Sequence, residues 1–163
     1  MSLMSGVGMS AVISACGRYR YNLVCAWDLT KPRLCFCMLN PSTADGYVDD
    51  ATVRRCVGFA RGWGYGSVEI VNLFAYRTKD PSALKAAGWP VGPENDAHIF
   101  RAAVHAMNVI CAWGSNARGH ARVDQVLELI RLCHAPLCLA RSSVDGTPKH
   151  PLYLPADLVP ALL

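Results

Sequence analysis

Apolar and polar positions divide the chain into short hydrophobic runs that alternate with amphipathic segments. The runs are rich in β-branched, aromatic and cysteine side chains, a pattern that predicts buried strands. They span residues 21–27, 34–39, 67–72, 109–113 and 137–140. The stretch DLTKPR between the first two runs is turn-like and contains a proline, so these two runs are predicted to form a hairpin or adjacent strands.

The segments between the runs have apolar residues at helical spacing. They predict helices over residues 50–63, 82–87, 94–106 and 121–133. Asp49 or Asp50 is suited to cap the first helix, and Gly62 and Gly64 mark its end. Because strands and helices alternate, the pattern favours an α/β fold: a three-layer α/β/α sandwich with a mostly parallel central sheet.

Composition and length predict one folded domain. Of the 163 residues, 52% are hydrophobic and 17% are charged, which argues against disorder. No apolar run reaches the roughly 18 residues that a membrane span requires. Residues 1–18 lack the basic and hydrophobic regions of a secretory signal, so we expect a flexible leader, a single domain over 19–163 and a cytoplasmic location.

The eight cysteines are predicted to be reduced core residues. No CxxC pair is present, and the cysteines at 25, 35, 37, 111 and 138 lie inside apolar runs, where a thiol behaves as a small hydrophobic group. Zinc and iron–sulfur sites use tighter ligand spacing. We therefore expect no metal and no cofactor.

Of four polar segments, the first three follow or close apolar runs, and the last ends a loop that contains glycine and proline. They are LNPSTAD at 39–45, VNLFAYR at 71–77, AWGSNA at 112–117 and KHPLYL at 149–154. Polar groups at the carboxyl ends of parallel strands converge on one crevice, where open α/β sheets bind ligands. The four segments therefore predict the walls of one binding site.

Asn40 and Asn72 end two of the predicted strands. A carboxamide has one acceptor and two donors, so Asn40 could hold a water and Asn72 could read the edge of a base. The simpler alternatives are a turn formed by Asn40-Pro41 and an Asn72 that caps the end of the sheet.

Three other groups could take part in chemistry. His150 could stabilise a developing anion, although a lone loop histidine often has no such role. The turn at Trp113, Gly114 and Ser115 could present backbone amides to an anion. Asp49 and Asp50 could supply a general base, while capping of the helix that follows is the simpler explanation. The histidines at 98, 105, 120 and 134 are predicted to be surface or packing residues.

In this order, the motifs resemble those of the uracil-DNA glycosylase superfamily, and the chain is most similar to its mismatch-specific branch that uses Asn. Asn40 matches the catalytic Asn of a G-x-N-P-G motif. Asn72 matches the Asn that reads the base, AWGSNA matches a L-L-W-G-x-x-A strand, and His150 matches the His of an H-P-S loop. The signatures LNPSTAD, NLFAYR and HPLYL also resemble those of a bacterial and phage domain family of unknown function.

The resemblance implies a DNA glycosylase that hydrolyses the N-glycosidic bond of a flipped uracil or another damaged base. Asn40 would hold the attacking water and His150 would stabilise the leaving base. The remaining substrate contacts would come from Pro41, Ser42, Asn72, Phe74, Trp113, Gly114 and Ser115. Thr52 and Val53 occupy the place of the family's stacking Phe, so that Tyr47, Phe74 or Tyr76 could stack instead.

The expected partner is DNA, single-stranded or mismatched. The net charge is +4, and Arg77, Arg118 and Lys149 lie near the four segments, where they would contact phosphates. Two alternatives remain open. One is a non-catalytic reader of modified or single-stranded nucleic acid, and the other is a hydrolase acting on free nucleotides or nucleosides.

Overall fold

The computed structural model describes residues 2–43 and 50–163. Its strands are β1 (Gly8–Ile13), β2 (Arg20–Ala26), β3 (Arg33–Met38), β4 (Ser67–Asn72), β5 (Asn108–Cys111), β6 (Leu137–Cys138) and β7 (Ala161–Leu162). Within the described residues they form one seven-stranded sheet in the order β1-β2-β4-β3-β5-β6-β7. The protein is therefore an α/β protein with helices packed on a mixed sheet.

The helices are α1 (Ala51–Gly62), α2 (Pro81–Ala86), α3 (Asn95–His105) and α4 (Ala121–Arg131). Asp50 caps α1: its Oδ1 accepts hydrogen bonds from the backbone N–H of Thr52 at 2.8 Å and of Val53 at 3.2 Å. This confirms the prediction of a cap at Asp50, whereas Asp49 lies outside the described residues. The capping oxygen satisfies amides that no helical carbonyl can reach.

The sheet is mixed rather than mostly parallel. β4, β3, β5 and β6 run parallel to one another, while β2 pairs antiparallel with β4, and β1 and β7 pair antiparallel at the two edges. In the described residues the parallel and antiparallel pairings are therefore equal in number. The parallel strands form the centre, and their carboxyl ends lie at one edge of the sheet.

The predicted pairing of the first two apolar runs is wrong. β4 lies between β2 and β3, pairing antiparallel with the former and parallel with the latter. After β3 the chain returns through α1, and this crossover places β4 beside β3. β2 then pairs with the remaining edge of β4, so DLTKPR is a connection and not a hairpin turn.

The amino-terminal segment contains a strand. Gly8–Ile13 pair with β2, although they fall in the segment that was expected to be a flexible leader. The alternation in MSAVI is short and half exposed, which suits an edge strand with one free face. The segment expected to be a leader therefore contributes six residues to one edge of the sheet.

Side chains of β3 alternate between two buried clusters. Leu34, Phe36 and Met38 contribute to the cluster that contains residues of α1. Cys35 and Cys37 contribute to the other cluster, which contains residues of α2, α3 and α4. This alternation follows from the two-residue period of a strand.

The cysteines in the apolar runs lie in the core, as predicted, and are free thiols. Burial raises the pKa of Cys37 to about 12, because a thiolate there would lose its hydration. None of the helices in the described residues combines the length and the apolar character needed to cross a bilayer.

Candidate functional site

The carboxyl ends of the parallel strands open into a cavity of about 660 Å³. Its walls come from the ends of β3 and β4, the start of α1, the turn after β5 and the loop between β6 and β7. Most of the predicted site residues line it: Asn40, Pro41, Ser42, Asp50, Asn72, Trp113, Gly114, Ser115 and His150. The volume lies in the range typical of small-molecule sites.

Asn40 is held by the loop that follows β4. Its Nδ2 donates hydrogen bonds to the carbonyl oxygens of Thr78 at 2.8 Å, Pro41 at 3.2 Å and Tyr76 at 3.3 Å. Because all three neighbours are acceptors, the amide nitrogen must face them. Among the described residues no donor reaches Oδ1, which leaves this oxygen able to accept a hydrogen bond from a water in the cavity.

Asn72 is the final residue of β4 and lies beside Met38 of β3 in the sheet. It is 2% exposed, lines the cavity and makes no side-chain hydrogen bond with the described part of the chain. Because Asn72 lines the cavity, water or a ligand there can reach the donor and acceptor groups of its carboxamide. Such a group is suited to pair with a ligand that enters the cavity.

Two buried polar side chains hold the backbone at the end of β4. Asn95 of α3 donates from Nδ2 to the carbonyl oxygens of Asn72 at 2.9 Å and Leu73 at 3.1 Å. Arg122 of α4 donates from Nε to the Leu73 oxygen at 2.8 Å and forms an ion pair with Asp96 at 2.6 Å. Neither was singled out from the sequence as a site residue, because an Asn or Arg on a helix usually faces solvent.

Gly114 forms the wall after β5. Its φ of +81° and ψ of −177° belong to a region that essentially only glycine occupies. The Gly114 N–H donates to the carbonyl oxygen of Pro148 at 3.0 Å. A Cβ at this position would lie 3.4 Å from the Cβ of His150. The AWGSNA turn therefore packs against the loop that carries the histidine.

His150 presents a defined tautomer to the cavity. Its Nδ1 accepts a hydrogen bond from the backbone N–H of Leu152 at 3.2 Å, so the proton of the neutral ring lies on Nε2. Burial lowers the pKa of His150, and the negative charge of Asp50 opposes this effect in part. The neutral ring can thus donate a hydrogen bond from Nε2 at physiological pH.

The loop carrying His150 is attached to α1. Arg55 donates from Nε to the carbonyl oxygen of Pro151 at 3.4 Å, and its guanidinium lies over the ring of Phe59. Asp50, one turn earlier, caps the helix and also lines the cavity. The amino-terminal part of α1 therefore supports two walls of the site.

Two cationic side chains line the cavity as well. Arg20 at the start of β2 is 3% exposed, and Lys79 is in the loop after β4. Lys79 lies near a predicted segment. Nothing in the sequence marks Arg20 as a cavity residue, because only folding brings its strand β2 beside β4. Arg20 and Lys79 are positively charged and Asp50 is negatively charged, so the described wall has an excess of positive charge. This excess favours an anionic ligand.

Phe74 is not a cavity residue. It is fully buried, and its ring centroid lies 5.2 Å from that of Trp89 and 5.1 Å from that of His120. The backbone leaves the sheet after Asn72, and the Phe74 N–H donates to the carbonyl oxygen of Leu39. This turn directs Phe74 into the core, so the predicted substrate contact is corrected to a packing residue.

The three predicted phosphate contacts also lie outside the described lining of the cavity. Arg77 donates to the carbonyl oxygen of Gly17 at 3.1 Å, and Arg118 forms an ion pair with Asp145. Lys149 is exposed beside His150. Tyr47 lies outside the described residues. In the two described ranges, no group of three His, Cys, Asp or Glu side chains is arranged to hold a metal ion.

A family model described as "Protein of unknown function (DUF1643)" matches residues 20–152. The match runs from Arg20 to just beyond His150 and thus includes all the described residues that line the cavity. No curated protein and no solved structure matches the chain.

Proposed function

The chain belongs to the DUF1643 family of proteins of unknown function, and we propose that it is a DNA glycosylase-like enzyme. In this proposal it hydrolyses the N-glycosidic bond of a flipped uracil or another damaged or modified base. The finer fold assignment, a three-layer sandwich like that of uracil-DNA glycosylases, belongs to the same proposal. One observation carries it: Asn40, Asn72 and His150, whose neutral ring carries its proton on Nε2, line a single cavity at the ends of parallel strands.

Each of the three side chains has a property that suits its proposed role. The carboxamide of Asn72, which has no side-chain partner among the described residues, can pair with the donor and acceptor groups of a base edge. Asn40 keeps Oδ1 for the attacking water. A neutral His150 donates from Nε2 to the negative charge that develops on the leaving base, and a preorganised donor of this kind contributes about 2.7–4 kcal/mol.

Recognition of DNA would require the target nucleotide to leave the base stack, because its sugar carbon is otherwise inaccessible to the cavity. Arg77, Arg118 and Lys149 would contact phosphates around the cavity. Of these, Lys149 is the residue next to His150 and is exposed. Phosphate contacts make binding salt-dependent, with log K falling as salt rises.

The test is a cleavage assay on oligonucleotides that contain uracil, hypoxanthine, xanthine or a thymine mismatch, followed by alkali to break abasic sites. We expect cleavage by the wild type and its loss in Asn40→Ala. Asn108→Ala is the matched control, because Asn108 begins β5 at the opposite end of the sheet and bonds to the hydroxyl of Tyr65. Tight binding of these oligonucleotides without cleavage would support the non-catalytic reader instead.

A hydrolase acting on free nucleotides or nucleosides is the second candidate. The observation that favours it is the position of Arg20 and Lys79 in the cavity wall, where they would meet the phosphate of a small ligand. The three predicted DNA contacts, by contrast, lie outside the described lining. Absence of DNA binding at low salt, together with release of base from free nucleotides, would establish this alternative over the glycosylase.

A further inference from the structure

The catalytic groups assigned so far leave no acceptor for the proton of the attacking water. An amide has no usable pKa, so Asn40 can orient a water but cannot take its proton. The Nδ1 of His150 is occupied by the N–H of Leu152, and Nε2 carries the ring proton. Arg20 and Lys79 are cations. A base for the hydrolysis must therefore come from another group in the wall.

We propose that Asp50 is the general base of this site and that it deprotonates the water held by Asn40. The inference rests on the proposed function. Among the described residues that line the cavity, Asp50 is the one carboxylate. General bases of this kind contribute about 10²–10⁴-fold to the rate.

The two carboxylate oxygens of Asp50 differ in their hydrogen bonds. Oδ1 accepts from the N–H groups of Thr52 and Val53, and these bonds orient the carboxylate on the first turn of α1. Oδ2 has no hydrogen bond with the described part of the chain. Asp50 and His150 line the same cavity. One oxygen therefore holds the side chain in place, while the other can accept a proton.

The step balances as follows. The water oxygen bonds to the anomeric carbon, and the glycosidic C–N bond breaks with its electron pair passing to the base. The water proton passes to Oδ2 of Asp50, and Nε2–H of His150 donates a hydrogen bond to the anionic base. The base then takes up one proton, and Asp50 releases one to solvent, which restores the carboxylate.

Asp50→Asn separates the two roles, because Asn caps helices about as well as Asp but cannot accept the proton. We expect the single-turnover rate to fall by about 10²–10⁴-fold, with substrate Kd within about threefold of the wild type and an unchanged thermal melting curve. Asp50→Ser, which also supplies a capping oxygen, is the second variant if the first does not fold.

The pH profile is a further readout. The rates of the wild type and of Asp50→Asn are compared across pH, and two profiles of the same shape would overturn the role of Asp50 as the general base. Arg20, Lys79 and His150 are the described charged or titratable groups that share the cavity wall with Asp50.

The outcomes distinguish this inference from the proposed function. If the wild type hydrolyses no glycosidic bond in DNA or in free nucleotides, the proposed function fails and the inference fails with it. If the wild type is active and Asp50→Asn retains the wild-type rate, only the role of Asp50 is overturned. Asp49→Asn is made in parallel: loss of rate there, with retention in Asp50→Asn, would assign the base to Asp49 instead.

Discussion

Replacement of Gly114 by alanine tests whether the turn after β5 depends on a backbone conformation that only glycine adopts easily. The φ of +81° and ψ of −177° are disfavoured for L-amino acids, at a cost of about 1–3 kcal/mol. The new Cβ would lie 3.4 Å from the Cβ of His150, which is an ordinary van der Waals contact. Backbone strain and not a clash should therefore dominate the loss of stability.

We expect Gly114→Ala to lower the free energy of unfolding by about 1–3 kcal/mol. Two glycines provide matched controls. Gly119 has a φ of +71° and nothing within 4 Å of its added Cβ, so alanine there should cost only the left-handed conformation, about 1–2 kcal/mol. Gly62 ends α1 without a positive φ, so alanine there should be neutral or stabilising by up to about 1 kcal/mol.

The measurement is urea denaturation followed by far-ultraviolet circular dichroism, with the slope compared between variants to confirm that the unfolded state is unchanged. The reasoning is refuted if Gly114→Ala is as stable as Gly62→Ala. A shift of the strained turn would also weaken the bond from Gly114 N–H to Pro148 and displace His150. Any base-release activity should therefore fall in the folded variant, and to a greater extent than in Gly119→Ala.

Three further predictions follow from burial and charge. Phe74→Ala should destabilise the protein by about 3–5 kcal/mol in urea denaturation, because Phe74 is a core residue. Loss of activity with wild-type stability would instead indicate that Phe74 contacts the substrate. Burial lowers the pKa of both His98 and His150, so the folded state binds fewer protons than the unfolded state. This contribution to stability is complete above about pH 6.5 and is lost as the pH falls through the folded pKa values. The urea midpoint should therefore drop between neutral pH and a pH of about 5. A constant midpoint would contradict this prediction. Cys16 is exposed, and hydrogen bonds, the largest from Ser14, lower its thiol pKa. It should react first with a thiol reagent, and Cys16→Ser should remove the fast phase; a fast phase that persists would place the reactive thiol elsewhere.

The elements that could be predicted from the sequence depend on local signals. Residues 67–72 were predicted as a strand and form β4 with the same bounds. The cap at Asp50 was predicted because an Asp precedes apolar residues at helical spacing, and both features act within one turn of the chain. The convergence of Asn40, Asn72, Gly114 and His150 was predicted because their segments lie at strand ends or in the loops after them, and parallel strands end at one edge.

The directions in which side chains point beyond the strand ends could not be predicted from local signals. Phe74 is two residues after Asn72, and whether it faces the cavity or the core depends on how the backbone turns against Leu39. Arg20 reaches the cavity because β2 pairs with β4, a contact between residues far apart in the chain. Arg122 lies on a predicted helix, where an arginine usually faces solvent, yet it is buried and bonds to the carbonyl of Leu73.

The sequence by itself determined the helices, the strands β2 to β6 and the polar residues at the strand ends, because hydrophobic periodicity and capping act over a few residues. Only the tertiary structure decided the strand order, with β4 between β2 and β3, and the mixed character of the sheet. It also decided that Asp50 both caps α1 and faces the cavity with Asn40 and His150. These features depend on pairing and packing between distant segments, for which a single sequence carries no local signal.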